Sequence, residues 1–170
     1  MCADTGMMAM VHAENGLAID VLIEQAIAAG NTSPEFHSRT RPPELEAEAV
    51  HRASVLARVA GNAPLYIVHL SSSHALREVT EARARGTNVL AETCPQYLHL
   101  SLEDHLGQGW PNGAAFVCST PLRSKHDHHQ ADLWEGLRID ELAVVSTDHC
   151  PFCLREQKLA NGEFFNKVPN

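Results

Sequence analysis

Four side chains able to bind metal or move protons stand at the carboxyl ends of short apolar runs. His12 closes Met7–Val11, His69 lies near the end of Leu65–Leu70, Glu92 closes Thr87–Ala91, and Asp148 follows Leu142–Thr147. In a parallel α/β protein, that end of the sheet is where sites are assembled. Imidazole nitrogens and a carboxylate arriving from different strands suit a borderline divalent ion such as zinc, and a catalytic ion keeps one position open for water. Each residue alone reads equally well as a hydrogen-bonded rim side chain; the set is what points to a metal centre. Glu14, just beyond His12, is placed to orient that ring or to start a helix, and Glu92 reads as a rim or packing residue.

The elements that must position these residues alternate along the chain. The run Met7–His12 leads through Glu14, Asn15 and Gly16 into a helical pattern carried by Leu17, Val21, Leu22, Gln25 and Ala26, closed by Gly30. After an irregular stretch, Thr32 to Arg41, Pro42 and Pro43 open a helix that ends before Gly61, with an apolar stripe of Leu45, Ala49, Ala53, Leu56 and Ala60. Glu44, Glu46 and Glu48 lie near its positive end, where Arg39 and Arg41 are expected to pair with Glu44 or Glu46. Leu65–Leu70 reads as a strand buried on both faces. Ser71, Ser72 and Ser73 cap a helix from about His74 to Arg85, ended by Gly86. Thr87–Glu92 is a third strand, Asp127–Leu137 a further helix and Leu142–Thr147 a fourth strand. Repeated βα units imply a parallel sheet with right-handed crossovers. Both an open doubly wound sheet and part of a (β/α)8 barrel fit. A whole barrel takes roughly 250 residues, so four strands would be half of one.

Composition narrows the function classes. The 170 residues carry 13 Lys plus Arg against 21 Asp plus Glu, a formal charge of -8, which excludes a nucleic-acid partner that needs clustered basic residues. No apolar run reaches the roughly 18 residues of a membrane helix, and the first residues lack the basic start of a secretory signal, so a cytoplasmic protein with no membrane partner is expected. Five cysteines, an odd number, read as free thiols. Cys94, Cys118, Cys150 and Cys153 are expected to pack near the rim. His126, His128 and His129 read as a solvated turn, and His149 as pointing away from Asp148.

The segments Val11–Gly16, Leu65–Ser71, Glu92–Leu98, Ser119–Arg123 and Ser146–Phe152, in that order, resemble consecutive signature segments of the dihydropyrimidinase (D-hydantoinase) branch of the amidohydrolase superfamily. The resemblance runs from about Gly6 to Asn170 and ends inside the Lys167–Asn170 motif. It implies a (β/α)8 barrel with two zinc ions bridged by hydroxide and a carboxylated lysine. It also implies hydrolytic opening of a dihydropyrimidine or a 5-substituted hydantoin to an N-carbamoyl amino acid, in a parent enzyme that is a homotetramer or other homo-oligomer. By resemblance, His12 and His69 match two ligands of the second zinc. Asp148 matches a ligand of the first zinc that also shuttles the proton, and Ser119 and Asn170 match positions holding a small cyclic ureide.

The family's first-strand His-x-His pair, its carboxylated lysine and its oxyanion-stabilising tyrosine have no counterpart here. The one H-x-H, His126-Asp127-His128, lies in a polar segment. Residues 1–170 are therefore expected to be a catalytic domain truncated at both ends: about strands five to eight of the barrel, inactive alone, supplying part of the zinc ligands. The competing readings are a non-catalytic dihydropyrimidinase-related scaffold, disfavoured by retention of His12, His69 and Asp148 together, and an allantoinase- or dihydroorotase-type cyclic amidohydrolase.

Overall fold

The computed structural model describes residues 1–170. A short helix α1 (Cys2–Thr5) precedes β1 (Ala9–Val11). Helices α2 (Gly16–Ala28), α3 (Phe36–Arg39) and α4 (Pro43–Val59) lead to β2 (Leu65–Ile67), and α5 (Ser73–Ala84) to β3 (Val89–Thr93). Then come α6 (Pro95–His99), three short 3-10 turns, α7 (His129–Arg138) and β4 (Val144–Val145). The local chemistry is as expected: Asn15 and Ser72 cap α2 and α5 by accepting from the backbone N–H groups of Ala18 and Ala75. Gly61 and Gly86 leave α4 and α5 at φ 79° and 84°, where a side chain would be strained.

The strands are parallel and run in the order β1-β2-β3-β4. Right-handed crossovers that always step the same way put every covering helix on one side of the sheet. A doubly wound sheet would reverse direction at a switch point; this one does not. The fold is half of a (β/α)8 barrel, α/β with parallel strands.

The one-sided covering corrects the expectation of strands buried on both faces. Leu65, Ile67, Val89 and Ala91 are buried with Val50, Leu76, Val79 and Leu133 in the core beneath α4, α5 and α7. On the other face, Met10, Tyr66 and Leu90 lie side by side in register, with Met10 68% and Leu90 38% exposed. Leu17 and Val21 of α2 are likewise exposed, because α4 rather than α2 packs against β2.

Helix α4 is also turned relative to its expected stripe. It buries Glu46, Ala49, Val50, Ser54 and Ala57, while Leu56 faces solvent. The cause is Glu46, whose carboxylate accepts from the Ser71 backbone N–H (2.8 Å), the Ser71 and Ser72 hydroxyls (3.0 and 2.6 Å) and Arg123 Nη2 (3.0 Å). Arg123 also donates to Ser71 Oγ at 3.0 Å and to the carbonyl of Arg41. The network joins α4, the turn from β2 into α5 and the Ser119–Arg123 loop. No helix is long and apolar enough to cross a membrane.

Removing one member strands a buried charge, so Glu46→Ala and Arg123→Ala are each expected to cost about 3–5 kcal/mol in urea unfolding. The double variant should cost well under their sum, because the second deletion removes the charge that the first left unpaired. Strict additivity would show that the pair does not act as one unit.

Candidate active site

His12 and His69 meet at the rim. Val11 and Ile67 are paired in register, so the residues just beyond them leave β1 and β2 side by side. His12 Nδ1 and His69 Nε2 lie 2.9 Å apart, with ring centroids separated by 4.7 Å in an edge-on arrangement. His12 is half exposed, its Nε2 bonded to Glu14 Oε2 at 2.9 Å. His69 is buried and sits at φ 41°, in the left-handed region. Its N–H faces Glu92 Oε1 (3.4 Å) and its carbonyl accepts from Thr120 Oγ1 (3.0 Å). Asp148 is the other candidate ligand at positive φ, 46°. Strained backbone of this kind in non-glycine residues collects at functional sites.

Burial, and the His12 ring next to it, hold the His69 pKa below the ordinary imidazole value, against an opposing pull from Asp148. The ring is thereby kept in the neutral form that ligates metal. The pair fits a shared ion: a tetrahedral metal bonded at about 2.1 Å separates two nitrogens by roughly 3.4 Å, so a slight opening admits one. His69 Nδ1 is buried without a partner. No group of three or more His, Cys, Asp or Glu is placed to hold a metal ion.

A second feature lies beside it. A cleft of about 280 Å³ is lined by Ser119, Thr147, Asp148, His149, Lys158 and Asn170, among others. Three of the five expected site residues, Ser119, Asp148 and Asn170, thus share one cleft, while His12 and His69 form the neighbouring pair. Ser119 Oγ donates to Asn170 Oδ1, and Asn170 Nδ2 donates to the Val168 carbonyl at 3.0 Å. Lys158 Nζ donates to the Val117 carbonyl at 2.6 Å, and both residues line the cleft. His149 lines the cleft with Asp148 instead of pointing away, because residues 146–151 are not in regular extended structure.

Other expectations change here. Cys94 is buried and Cys118 half-buried, and burial pushes both thiols up to about 11, but Cys150 and Cys153 are exposed. Arg39 pairs with Glu35 and Arg41 approaches Glu14 at 4.0 Å, because Glu46 is already engaged by Arg123. His126 and His128 are exposed, as a solvated turn requires, whereas His129 is buried, its Nδ1 bonded to Ser73 Oγ at 2.8 Å.

Two participants escaped the sequence. Tyr66 donates to Glu92 Oε2 at 2.7 Å across the uncovered face, and burial together with that carboxylate raises the phenol to about 12. The signal was present in the register, since Leu90 opposes Tyr66 and Glu92 is two residues further on the same face. The second, His37, carried no pattern and emerges from packing alone.

No protein-family model matches the chain. The D-hydantoinase of Streptomyces coelicolor is 56% identical over 168 residues, 99% of this chain and 35% of that protein. The solved D-hydantoinase of Bacillus sp. AR9 matches with a TM-score of 0.93 at 45% identity, covering 99% of this chain and 36% of its own. The dihydropyrimidinase of Brevibacillus agri NCHU1002 matches with a TM-score of 0.92 at 46% identity and the same coverage. The chain therefore spans about a third of the length of these relatives.

Two buried histidines make stability pH-dependent. Burial, reinforced by Arg41, lowers His37 to about 3, and burial, reinforced by Arg123, lowers His129 to about 4. Both are neutral when folded and free to protonate when unfolded, so their contribution is complete above about pH 6.5 and declines as pH falls toward 4. The urea midpoint is expected to drop between about pH 7 and pH 5, above the range where most carboxylates titrate. A flat midpoint across that interval would contradict the assignment.

Proposed function

Because the chain matches, along its whole length, one segment of the D-hydantoinase and dihydropyrimidinase family, we propose that residues 1–170 form the C-terminal part of the catalytic barrel of a metal-dependent cyclic-amide hydrolase. The reaction is opening of a dihydropyrimidine or 5-substituted hydantoin to an N-carbamoyl amino acid. The observation that carries this reading is the convergence of His12 and His69 at the rim of a parallel half barrel, 2.9 Å between ring nitrogens.

In this reading His12, His69 and Asp148 are metal ligands. Zinc, when bound, supplies an acidified water and a polarised amide carbonyl. The chain's own residues do the rest. Glu14 accepts the Nε2–H of His12, which leaves the Nδ1 lone pair directed at His69 and the metal position. Ser119 and Asn170, already in contact, hold the ureide in the cleft. Asp148, which lines the same cleft, takes a proton on its carboxylate and passes it to the leaving ring nitrogen. The remaining ligands come from a part of the barrel outside these residues, so the isolated chain is inactive. A cytoplasmic location and a homo-oligomeric parent belong to the same proposal.

The test is complementation. This chain is combined with the preceding part of the Streptomyces coelicolor D-hydantoinase and assayed for ring opening of hydantoin and dihydrouracil. The chain alone should be silent and the combination active with zinc, and Asp148→Asn should cut the rate by about 10²–10⁴-fold. A stable but inactive complex, or full activity in Asp148→Asn, would sink the reading.

A further inference from the structure

The stretch from His37 to Arg41 grips the loop that carries Ser119 at three points. His37 Nε2 donates to the Cys118 carbonyl at 2.9 Å, Ser38 Oγ donates to the Leu122 carbonyl at 2.7 Å, and Arg123 reaches back to the carbonyl of Arg41. The same stretch is tied to the histidine pair. Arg41 Nη1 donates to His37 Nδ1 at 3.2 Å, and Arg41 Nε lies 4.0 Å from Glu14 Oε2, the oxygen that holds His12 Nε2 at 2.9 Å. A continuous polar chain thus runs from His12 through Glu14, Arg41 and His37 to the backbone beside Ser119.

The guanidinium fixes the state of the imidazole. Arginine has only donors, so the ring nitrogen facing it must be the bare acceptor. The proton then lies on Nε2, where it meets the Cys118 carbonyl. His37 is 1% exposed, and the low pKa imposed by burial and Arg41 keeps the ring from taking a second proton.

We propose that His37 is a positioning residue: locked in the Nε2–H tautomer by Arg41, it sets the Cys118–Thr120 backbone that presents Ser119 to the cyclic ureide and holds that loop in register with His12. The proposal rests on the ureide-hydrolase reading for the ligand, and on geometry alone for the loop. Ser119 Oγ lies 3.5 Å from His37 Nε2, and His37 does not itself line the cleft, so the ring touches the loop from behind. The residue acts through Ser119.

The experiment uses the isotope-labelled chain assembled with the preceding part of the Streptomyces coelicolor D-hydantoinase and loaded with zinc, with His37→Phe, which keeps the ring volume without a donor, and His37→Gln, which keeps an N–H near the Nε2 position. In the wild type, ring-nitrogen resonances should show a protonated Nε2 and a bare Nδ1 across the neutral pH range. Dihydrouracil, titrated against the Ser119 and Asn170 amide resonances, should bind about tenfold more weakly to His37→Phe, the loss of one buried hydrogen bond. His37→Gln should stay within about threefold of the wild type, and zinc affinity should be the same in all three. A proton on Nδ1, wild-type binding by His37→Phe, or no rescue by glutamine would overturn the proposal. Should His37→Phe fail to fold, the tautomer and the glutamine variant still decide it. Should the wild type bind no dihydrouracil, the ureide reading falls, and the tautomer together with displaced Ser119 and Thr120 backbone resonances in the variants decide the role of His37.

Discussion

The carboxylate of Glu46 is shut away from water and must be satisfied by what surrounds it; four donors from Ser71, Ser72 and Arg123 do so. Burying a charge is tolerable only with such partners, and recruiting them dictates much of the nearby architecture. Helix α4 rotates to bring Glu46 inward. The turn after β2 is drawn onto it, which places His69 two residues before the anchored Ser71. Arg123 brings the Ser119–Arg123 loop across, from which Thr120 holds the His69 carbonyl. The histidine pair and the Ser119 cleft are thus neighbours because one ion pair and its hydroxyl partners bind the elements that carry them.

The strand order imposes the second constraint. Four parallel strands advancing in one direction place their covering helices on one side and leave Met10, Tyr66 and Leu90 on the other. The candidate ligands follow the same asymmetry: His69, beneath the Thr120 loop, is buried, while His12 at the β1 edge and Asp148 beyond β4 are exposed. The outer strands of the half barrel carry the exposed candidate ligands and its middle carries the buried one. In the proposed parent, the remaining strands of the barrel complete both the sheet and the coordination sphere.

Much of this was legible in the residues. Apolar runs located all four strands, and the serines before α5 and the prolines at α4 marked helix starts, because caps and helix-opening prolines are local physics. His12 and His69, picked out because they stand at strand ends, are brought together by the structure, while Asp148 lies in the cleft with Ser119. What could not be read was orientation set by distant partners. Glu46 looks like a surface carboxylate in a first helical turn until Arg123, far along the chain, is brought beside it. The leucines of α2 and α4 look like a core stripe until the one-sided covering is known. His37 has no periodic or motif signal, and its place comes from the bond its ring makes to the Cys118 carbonyl, far along the chain.

The central claim is that His12 and His69 together form half of a metal centre. Metal content and the visible spectrum of the cobalt-loaded chain test it most directly, measured on the wild type, His12→Ala and His69→Ala. The account predicts no more than one ion per wild-type chain, with nitrogen ligation that is lost in either variant. Two ions per chain, or nitrogen ligation that survives in either variant, would contradict it.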